Sequence, residues 1–222
     1  FVFCFSIPRK NERLLSRVSF FTVGIHMLLS LLYIGNWIAG MWSDGPHEIN
    51  YIGPTFYASD NYRFFLSLYF DKVSATYLFM GSVITFMIAL YSRVYLHREK
   101  GYKRFFTTLL LFYFGYNLTI LAGNFEILFT GWEILGLCSF LLIAFYRDRY
   151  LPVKNGLKVF SIYRLGDIGL LLAMWLSHLM WHENITFEQL NNYLLVHENI
   201  ANHTLFGFFL AQMILLAAAA KS

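Results

Sequence analysis

Charged residues are scarce in this chain of 222 residues: Asp, Glu, Lys and Arg make up 14%, whereas apolar residues make up 58%. A soluble domain usually carries about a quarter charged residues. The shortage is concentrated in long runs, since residues 18–42, 73–92 and 105–124 contain no Asp, Glu, Lys or Arg. A helix needs about 20 mostly apolar residues to span a bilayer. The composition therefore excludes an ordinary soluble fold and predicts a polytopic, all-α transmembrane helix bundle.

Motifs for cofactor or metal binding are also missing from the sequence. The two cysteines, Cys4 and Cys138, stand in separate apolar segments, which indicates packing residues rather than a disulfide or a metal site. His178 and His182 are four residues apart, but the sequence offers no third ligand beside them. Because no Gly-rich phosphate loop, cysteine cluster or haem motif occurs, we expect no cofactor and no metal on this chain.

The apolar segments predict a single membrane domain over residues 1–222. We expect spans near residues 1–7, 18–42, 73–92, 105–124, 125–146, 157–179 and 205–222. Since residues 122–124 separate two of these spans, they are expected to form a tight antiparallel helix hairpin. The chain begins with Phe and ends inside the apolar run AAAAKS, so we expect it to be truncated at both ends.

Basic residues sort the connecting loops into two classes. The loops of residues 43–65, 122–126 and 180–204 hold one Lys or Arg between them, Arg63, and they define the outer face. The other loops define the basic face. Basic residues in short loops remain on the cytoplasmic side of a membrane, so the basic face is predicted to face inward. The basic loops contain Arg9, Lys10, Arg13, Arg17, Arg93, Arg98, Lys100, Lys103, Arg104, Arg147, Arg149, Lys154 and Lys158.

Four charged residues stand inside predicted spans and away from the connecting loops: Glu133, Arg164, Asp167 and Lys221. A charge at the centre of a bilayer costs roughly 2.5–3.5 kcal/mol on insertion scales, and such residues often mark ion pathways. Arg164 and Asp167 are three residues apart and can pair on one helix face. Glu133 has no such neighbour, so its partner is another helix, water or a bound proton. The residue pattern leaves two interpretations open, a structural ion-pair network and a proton path.

Helical rise gives the depth of two of these charges. Glu133 lies about 12 Å and Lys221 about 24 Å from the outer ends of their spans, a difference of about two turns. The sequence therefore does not establish contact between them. Glu126 lies two turns before Glu133 on the same helix face, nearer the outer end.

Three motifs carry a resemblance to a known family. The chain contains GWEILGLCSFLLIAFYRDR, then NGLKVFSIYRLGD and finally AAAAKS, with YFDKVSATY and HREKGYKRFF upstream. In this order and spacing they resemble the antiporter-like, proton-translocating subunits of respiratory complex I, of the type called chain L in bacteria and chain 5 in mitochondria. The resemblance covers residues 66–222 and implies the first part of a bundle built from two inverted repeats.

The resemblance also implies roles for the buried charges. Glu133 of GWE corresponds to the key acid of the proton path, and Lys221 of the KS motif to a proton-holding partner beside a helix break. Arg164 and Asp167 correspond to the pair that couples charge to the next subunit. The implied function is proton translocation in an NADH:quinone oxidoreductase, with NADH, flavin and iron–sulfur chemistry on other subunits.

The resemblance leaves the assembly open. The same subunit type serves multi-subunit cation/proton antiporters, membrane hydrogenases and two-component inorganic-carbon uptake systems, and a purely structural anchor subunit is a further alternative. The expected partners are other membrane subunits and the lipid bilayer, not nucleic acid. The expected location is the bacterial plasma membrane, or the mitochondrial inner membrane in a eukaryote.

Overall fold

The computed structural model describes residues 11–44, 48–59 and 62–221. Within these ranges the chain forms eight helices and one two-stranded sheet. The helices are α1 (Glu12–Asp44), α2 (Lys72–Tyr95), α3 (Tyr102–Ile120), α4 (Phe125–Ile143), α5 (Tyr150–Trp181), α6 (Phe187–Leu190), α7 (Tyr193–Asn202) and α8 (Thr204–Lys221). The strands β1 (Ile49–Ser59) and β2 (Tyr62–Phe70) lie between α1 and α2.

Five of the described helices are long and apolar enough to cross a membrane, namely α1 over Glu12–Gly40, α2, α4, α5 and α8. Their outward surfaces carry exposed apolar side chains such as Phe21, Leu32 and Trp175. Exposed apolar surface of this extent is expected where a bundle contacts lipid tails or other membrane subunits. The chain is a multi-pass membrane protein, and the predicted helical bundle is confirmed.

Helix boundaries differ from the predicted spans by up to two turns. Helix α1 begins at Glu12 and α5 at Tyr150, before the predicted starts at residues 18 and 157. Helices continue beyond the hydrocarbon layer because the headgroup region accepts polar side chains. Helix α3 has the length of a crossing but carries Lys103 and Arg104 in its first turn, so its crossing stays a prediction. The predicted span at residues 1–7 lies outside the described residues.

The outer loop before α2 contains a β-hairpin, which was not predicted from the sequence. Strands β1 and β2 pair antiparallel, with register shifts between Ile52 and Thr55 and between Thr55 and Tyr57. Strand β2 also contacts the α3–α4 turn, since Tyr69 N–H donates to Leu121 O at 2.9 Å and Gly123 N–H to Ser67 O at 2.8 Å. The hairpin therefore lies against the outer end of α3 and α4. The aromatic and β-branched residues of this segment are the sequence feature that could have predicted the two strands.

The tight hairpin between α3 and α4 is present as predicted. Asn124 caps α4, because its side-chain oxygen accepts from Ile127 N–H at 3.0 Å, and its amide donates to Phe65 O at 3.2 Å. Within the bundle, α4 packs against both α3 and α5, and α5 packs along α8. The helices α4, α5 and α8, which carry Glu133, Arg164, Asp167 and Lys221, therefore lie side by side.

Candidate functional site

The carboxylate of Glu133, midway along α4, is bound by a side chain of the neighbouring helix. Arg164 Nη1 on α5 donates to Glu133 Oε1 at 3.0 Å and to Oε2 at 2.8 Å. The partner that Glu133 lacks on its own helix is therefore a cation on α5. A charge-assisted contact of this kind lowers the free energy of holding both charges at membrane depth.

Arg164 is shared between two acids. Its Nη1 atom also lies 3.4 Å from Asp167 Oδ2, one helical turn along α5. The predicted pairing of Arg164 with Asp167 is thus present, but the closer contact is with Glu133. Asp167 is more deeply buried than its partner: 9% of its side chain is exposed, against 48% for Arg164.

Lys221 on α8 extends the line of charges. Its Nζ lies 4.0 Å from Asp167 Oδ1 and donates to Trp132 O at 2.6 Å. The amine also lies 4.1 Å from the centre of the Trp132 ring, which stabilises the cation through the ring quadrupole. Glu133, Arg164, Asp167 and Lys221 therefore form a continuous line of alternating charge, which we call the charge line.

Glycines allow the three helices of the charge line to approach closely. A Cβ at Gly169 would lie 2.8 Å from Met213 O on α8, and a Cβ at Gly166 would lie 3.2 Å from Ala217 O. A Cβ at Gly136 would lie 3.5 Å from Lys221 Nζ, so the missing side chain leaves Lys221 access to the α4 backbone. Small residues at such crossings are typical of packed membrane helices.

All four residues expected from the sequence are brought together, although depth counting did not place Glu133 beside Lys221. Lys221 Nζ binds the carbonyl of Trp132, the residue that precedes Glu133. The count assumed that all helices begin at one level. The start of α4 is instead fixed by backbone pairing with other chain segments, Asn124 with Thr186 and Ala122 with Leu68.

One polar cluster was not singled out as a site from the sequence. Glu126, at the outer end of α4, is only 8% exposed and accepts from Asn184 Nδ2 at 2.5 Å. The available signal was an acid in a predicted span on the same face as Glu133. Elsewhere in the bundle, Nδ1 of His26 lies within hydrogen-bond distance of the hydroxyls of Tyr113, at 2.7 Å, and Ser30, at 3.2 Å. The described residues contain no group of three or more metal-ligating side chains.

Two family models match most of this chain. The family described as "NADH-Ubiquinone oxidoreductase (complex I), chain 5 N-terminus" matches residues 56–106, and "NADH:quinone oxidoreductase/Mrp antiporter, TM" matches residues 122–222. Together they cover about two thirds of the sequence. The second match includes every residue of the charge line.

Curated relatives carry matching names. NADH-quinone oxidoreductase subunit L of Escherichia coli K12 is 31% identical over 177 residues, which are 78% of this chain and 28% of that protein. Subunit L of Neisseria meningitidis Z2491 is 36% identical over 61% of this chain and 20% of that protein. NADH-ubiquinone oxidoreductase chain 5 of Metridium senile is 36% identical over 52% of this chain and 19% of that protein. The chain thus spans between 19% and 28% of the length of these relatives.

Solved structures share the fold. A chain of the Mrp complex from Dietzia sp. DQ12-45-1b matches 96% of this chain with a TM-score of 0.69 and 21% identity, and 24% of that chain is covered. A chain of the membrane-bound sulfane sulfur reductase, an archaeal respiratory membrane complex, matches 77% of this chain with a TM-score of 0.61, 16% identity and 34% coverage of that chain. The fold is that of an antiporter-like transmembrane bundle. The chain belongs to the family of antiporter-like membrane subunits that NADH:quinone oxidoreductase (complex I) and Mrp antiporters share.

Proposed function

We propose that this chain carries part of the proton path of a proton-translocating NADH:quinone oxidoreductase, in which electron transfer takes place on other subunits. The charge line of Glu133, Arg164, Asp167 and Lys221 is the observation that carries the proposal. The names of the curated relatives favour this assembly. Other membrane subunits are the expected partners, and the redox groups are expected on other subunits.

Arg164 gives the charge line two alternative arrangements. Its Nη1 binds Glu133 at 2.8 Å and lies 3.4 Å from Asp167, so a small rotation of the guanidinium exchanges the closer partner. When Arg164 moves to Asp167, Glu133 loses its counter-charge. A carboxylate at membrane depth without a counter-charge is unstable and takes up a proton. The return of Arg164 then favours release of that proton.

Lys221 connects this exchange to α8. At 4.0 Å from Asp167 the amine is close enough to respond to its charge but does not share a hydrogen bond with it. Once Arg164 neutralises Asp167, Lys221 is held less strongly as a cation and can give its proton to a neighbouring water. Opposite charges along the line therefore pass an electrostatic change from α4 to α8.

Replacement of Glu133 by glutamine tests the proposal. Glu133→Gln keeps the shape of the side chain but removes its proton-binding charge, so pumping in sealed vesicles should fall by roughly tenfold or more per electron transferred. Blue-native gels check that the complex still assembles. Glu99→Gln is the matched control, because Glu99 is exposed on the basic face and lies outside the charge line. Normal pumping by an assembled Glu133→Gln complex contradicts the proposal.

A second candidate function is the membrane subunit of a multi-subunit cation/proton antiporter. The description of the model matched by residues 122–222 includes the Mrp antiporter, and this observation supports the candidate. The two functions differ in their driving force. If vesicles acidify on addition of NADH, complex I is the assembly. If sodium dissipates an imposed pH gradient and NADH has no effect, the antiporter is the assembly.

A further inference from the structure

A second polar cluster lies between α4, α5 and β2 at the outer face. Its centre is Glu126, which is 8% exposed and whose Oε1 accepts from Asn184 Nδ2 at 2.5 Å. Its Oε2 is buried and has no hydrogen-bond partner among the described residues. An unpaired carboxylate oxygen in such a place is costly, so the site needs a further ligand for it.

Two neighbours of Glu126 also have buried polar atoms without a hydrogen-bond partner among the described residues. Asn184 and Tyr62 line the same cavity, and the Tyr62 ring centre lies 5.8 Å from that of His178. Asn184 Oδ1 and His178 Nδ1 are both buried without a hydrogen-bond partner in the described part of the chain. Buried polar atoms are nearly always satisfied by protein or by ordered water. Three such atoms on connected residues therefore indicate that water belongs in this cluster.

A cavity borders the cluster at Tyr62 and Asn184. It has a volume of about 440 Å³, and its lining includes Tyr62, Arg63, His182 and Asn184. A single water needs about 30 Å³ of liquid volume, so the cavity has room for a chain of waters. Asn184 and Tyr62 belong both to the cavity wall and to the cluster around Glu126.

We propose that Glu126 is a proton-exchanging group of an outer port, which consists of Glu126, Asn184, Tyr62 and His178 with the waters they bind. This proposal rests on the proposed function, because it adds the outer step to the same proton path. A hydrated proton in the cavity passes to Glu126 Oε2 and leaves a neutral carboxyl group and a water molecule. Release is the reverse step, in which Oε2 returns the proton to water and Glu126 keeps its hydrogen bond from Asn184.

The titratable groups near the outer port include a hydroxyl that can donate a hydrogen bond to water. The titratable groups around Glu126 are Tyr62 and Arg63 on β2, and His178, His182 and Glu183 at the end of α5. Burial raises the pKa of Tyr62, and the charge of Glu126 raises it further, whereas the nearby polar side chain of Asn184 lowers it. The Tyr62 hydroxyl therefore keeps its proton at neutral pH and remains a donor to water. None of the described ion pairs involves Glu126.

The position of Glu126 links the port to the charge line. Seven residues separate Glu126 from Glu133, which is close to two helical turns, so both acids lie on one face of α4 about 10 Å apart. Glu126 is nearer the outer face and Glu133 is nearer the membrane centre. The port therefore supplies the missing connection between the outer face and the buried charges.

A hydrophobic carbodiimide tests the port in the intact complex, because it forms an adduct with a protonated carboxyl group in an apolar site. Mass spectrometry of the treated complex should find the adduct on Glu126, with labelling that falls as pH rises. Asn184→Leu removes a hydrogen bond to the carboxylate, so the pH midpoint of labelling should move up by about one unit or more. Glu99→Gln, a change of an exposed acid on the opposite, basic face, should leave the midpoint unchanged.

Pumping measurements separate this proposal from the proposed function. Glu126→Gln should lower pumping per electron transferred by roughly tenfold in an assembled complex. Normal pumping by Glu126→Gln together with lost pumping by Glu133→Gln overturns the port and leaves the proposed function in place. An unlabelled Glu126 at every pH overturns the port as well. Sodium that protects Glu126 from labelling at constant pH also overturns it, because the cluster then binds a metal cation.

Discussion

Asp167 and Lys221 are 4.0 Å apart between Oδ1 and Nζ, a separation that permits strong attraction without a shared hydrogen bond. The other oxygen of Asp167 lies 3.4 Å from Arg164. Asp167 thus contacts a cation on its own helix and a cation on α8. This arrangement makes Asp167 the connection between the two halves of the charge line.

The Asp167–Lys221 pair should show measurable coupling. In a double-mutant cycle of Asp167→Asn and Lys221→Gln, the thermal stability of the assembled complex should give a coupling energy of about 1–3 kcal/mol. The physical reason is that either single change leaves one charge without its partner at membrane depth. If the charges are only a structural anchor, Lys221→Gln lowers assembly and leaves pumping per assembled complex unchanged. Lost pumping in an assembled complex supports proton transfer.

Arg164 should be replaceable by lysine but not by glutamine. Arg164→Gln leaves Glu133 without a cation, and the free energy of unfolding should fall by about 1–3 kcal/mol. This value lies between those for exposed and for buried ion pairs, because the Arg164 side chain is 48% exposed. Arg164→Lys keeps a cation and should retain most of that stability. Thermal unfolding of the purified complex measures both. Equal losses in the two variants show that the shape of the guanidinium, not its charge, matters.

Gly169 should tolerate no side chain. A Cβ at this position would lie 2.8 Å from Met213 O, so Gly169→Ala pushes α8 away from α5 and should lower stability by about 1–3 kcal/mol. Because α8 carries Lys221, pumping should fall as well. Gly35→Ala on α1 is the matched control, since a Cβ there meets nothing within 4 Å. That control should be neutral or stabilising by up to about 1 kcal/mol. A Gly169→Ala protein as stable as the control contradicts the close packing.

The predicted orientation of the bundle can be tested by labelling introduced cysteines. Arg63→Cys lies on the outer face and Arg149→Cys on the basic face, and both native side chains are exposed. In vesicles of native orientation, a membrane-impermeant maleimide should label the Arg63→Cys protein and should label the Arg149→Cys protein only after the membrane is opened. A background with Cys4→Ser and Cys138→Ser removes the native thiols. The reverse labelling pattern would show that the bundle has the opposite orientation in the membrane.

Much of the bundle was predictable because the membrane imposes a simple rule on sequence. A long segment without charge must be a helix, since lipid offers no partner for backbone polar groups. The five membrane-length apolar helices and the hairpin at residues 122–124 followed from this rule. The β-hairpin at Ile49–Phe70 did not, because it lies outside the membrane, where composition restricts structure less.

The sequence by itself determined that Glu133, Arg164, Asp167 and Lys221 lie in helices, because each stands in an apolar segment long enough to cross a bilayer. The cost of placing a charge in such a segment also depends only on the local sequence. Tertiary structure decided which charges meet. Helix α4 begins against β2 and Thr186, and Gly166 and Gly169 allow α8 to lie close to α5. In this packing Lys221 reaches the turn of α4 that carries Glu133. The depth of a side chain in the bundle and its contacts with other helices depend on how the helices pack together. The sequence of one helix does not specify where along its length a neighbouring helix lies.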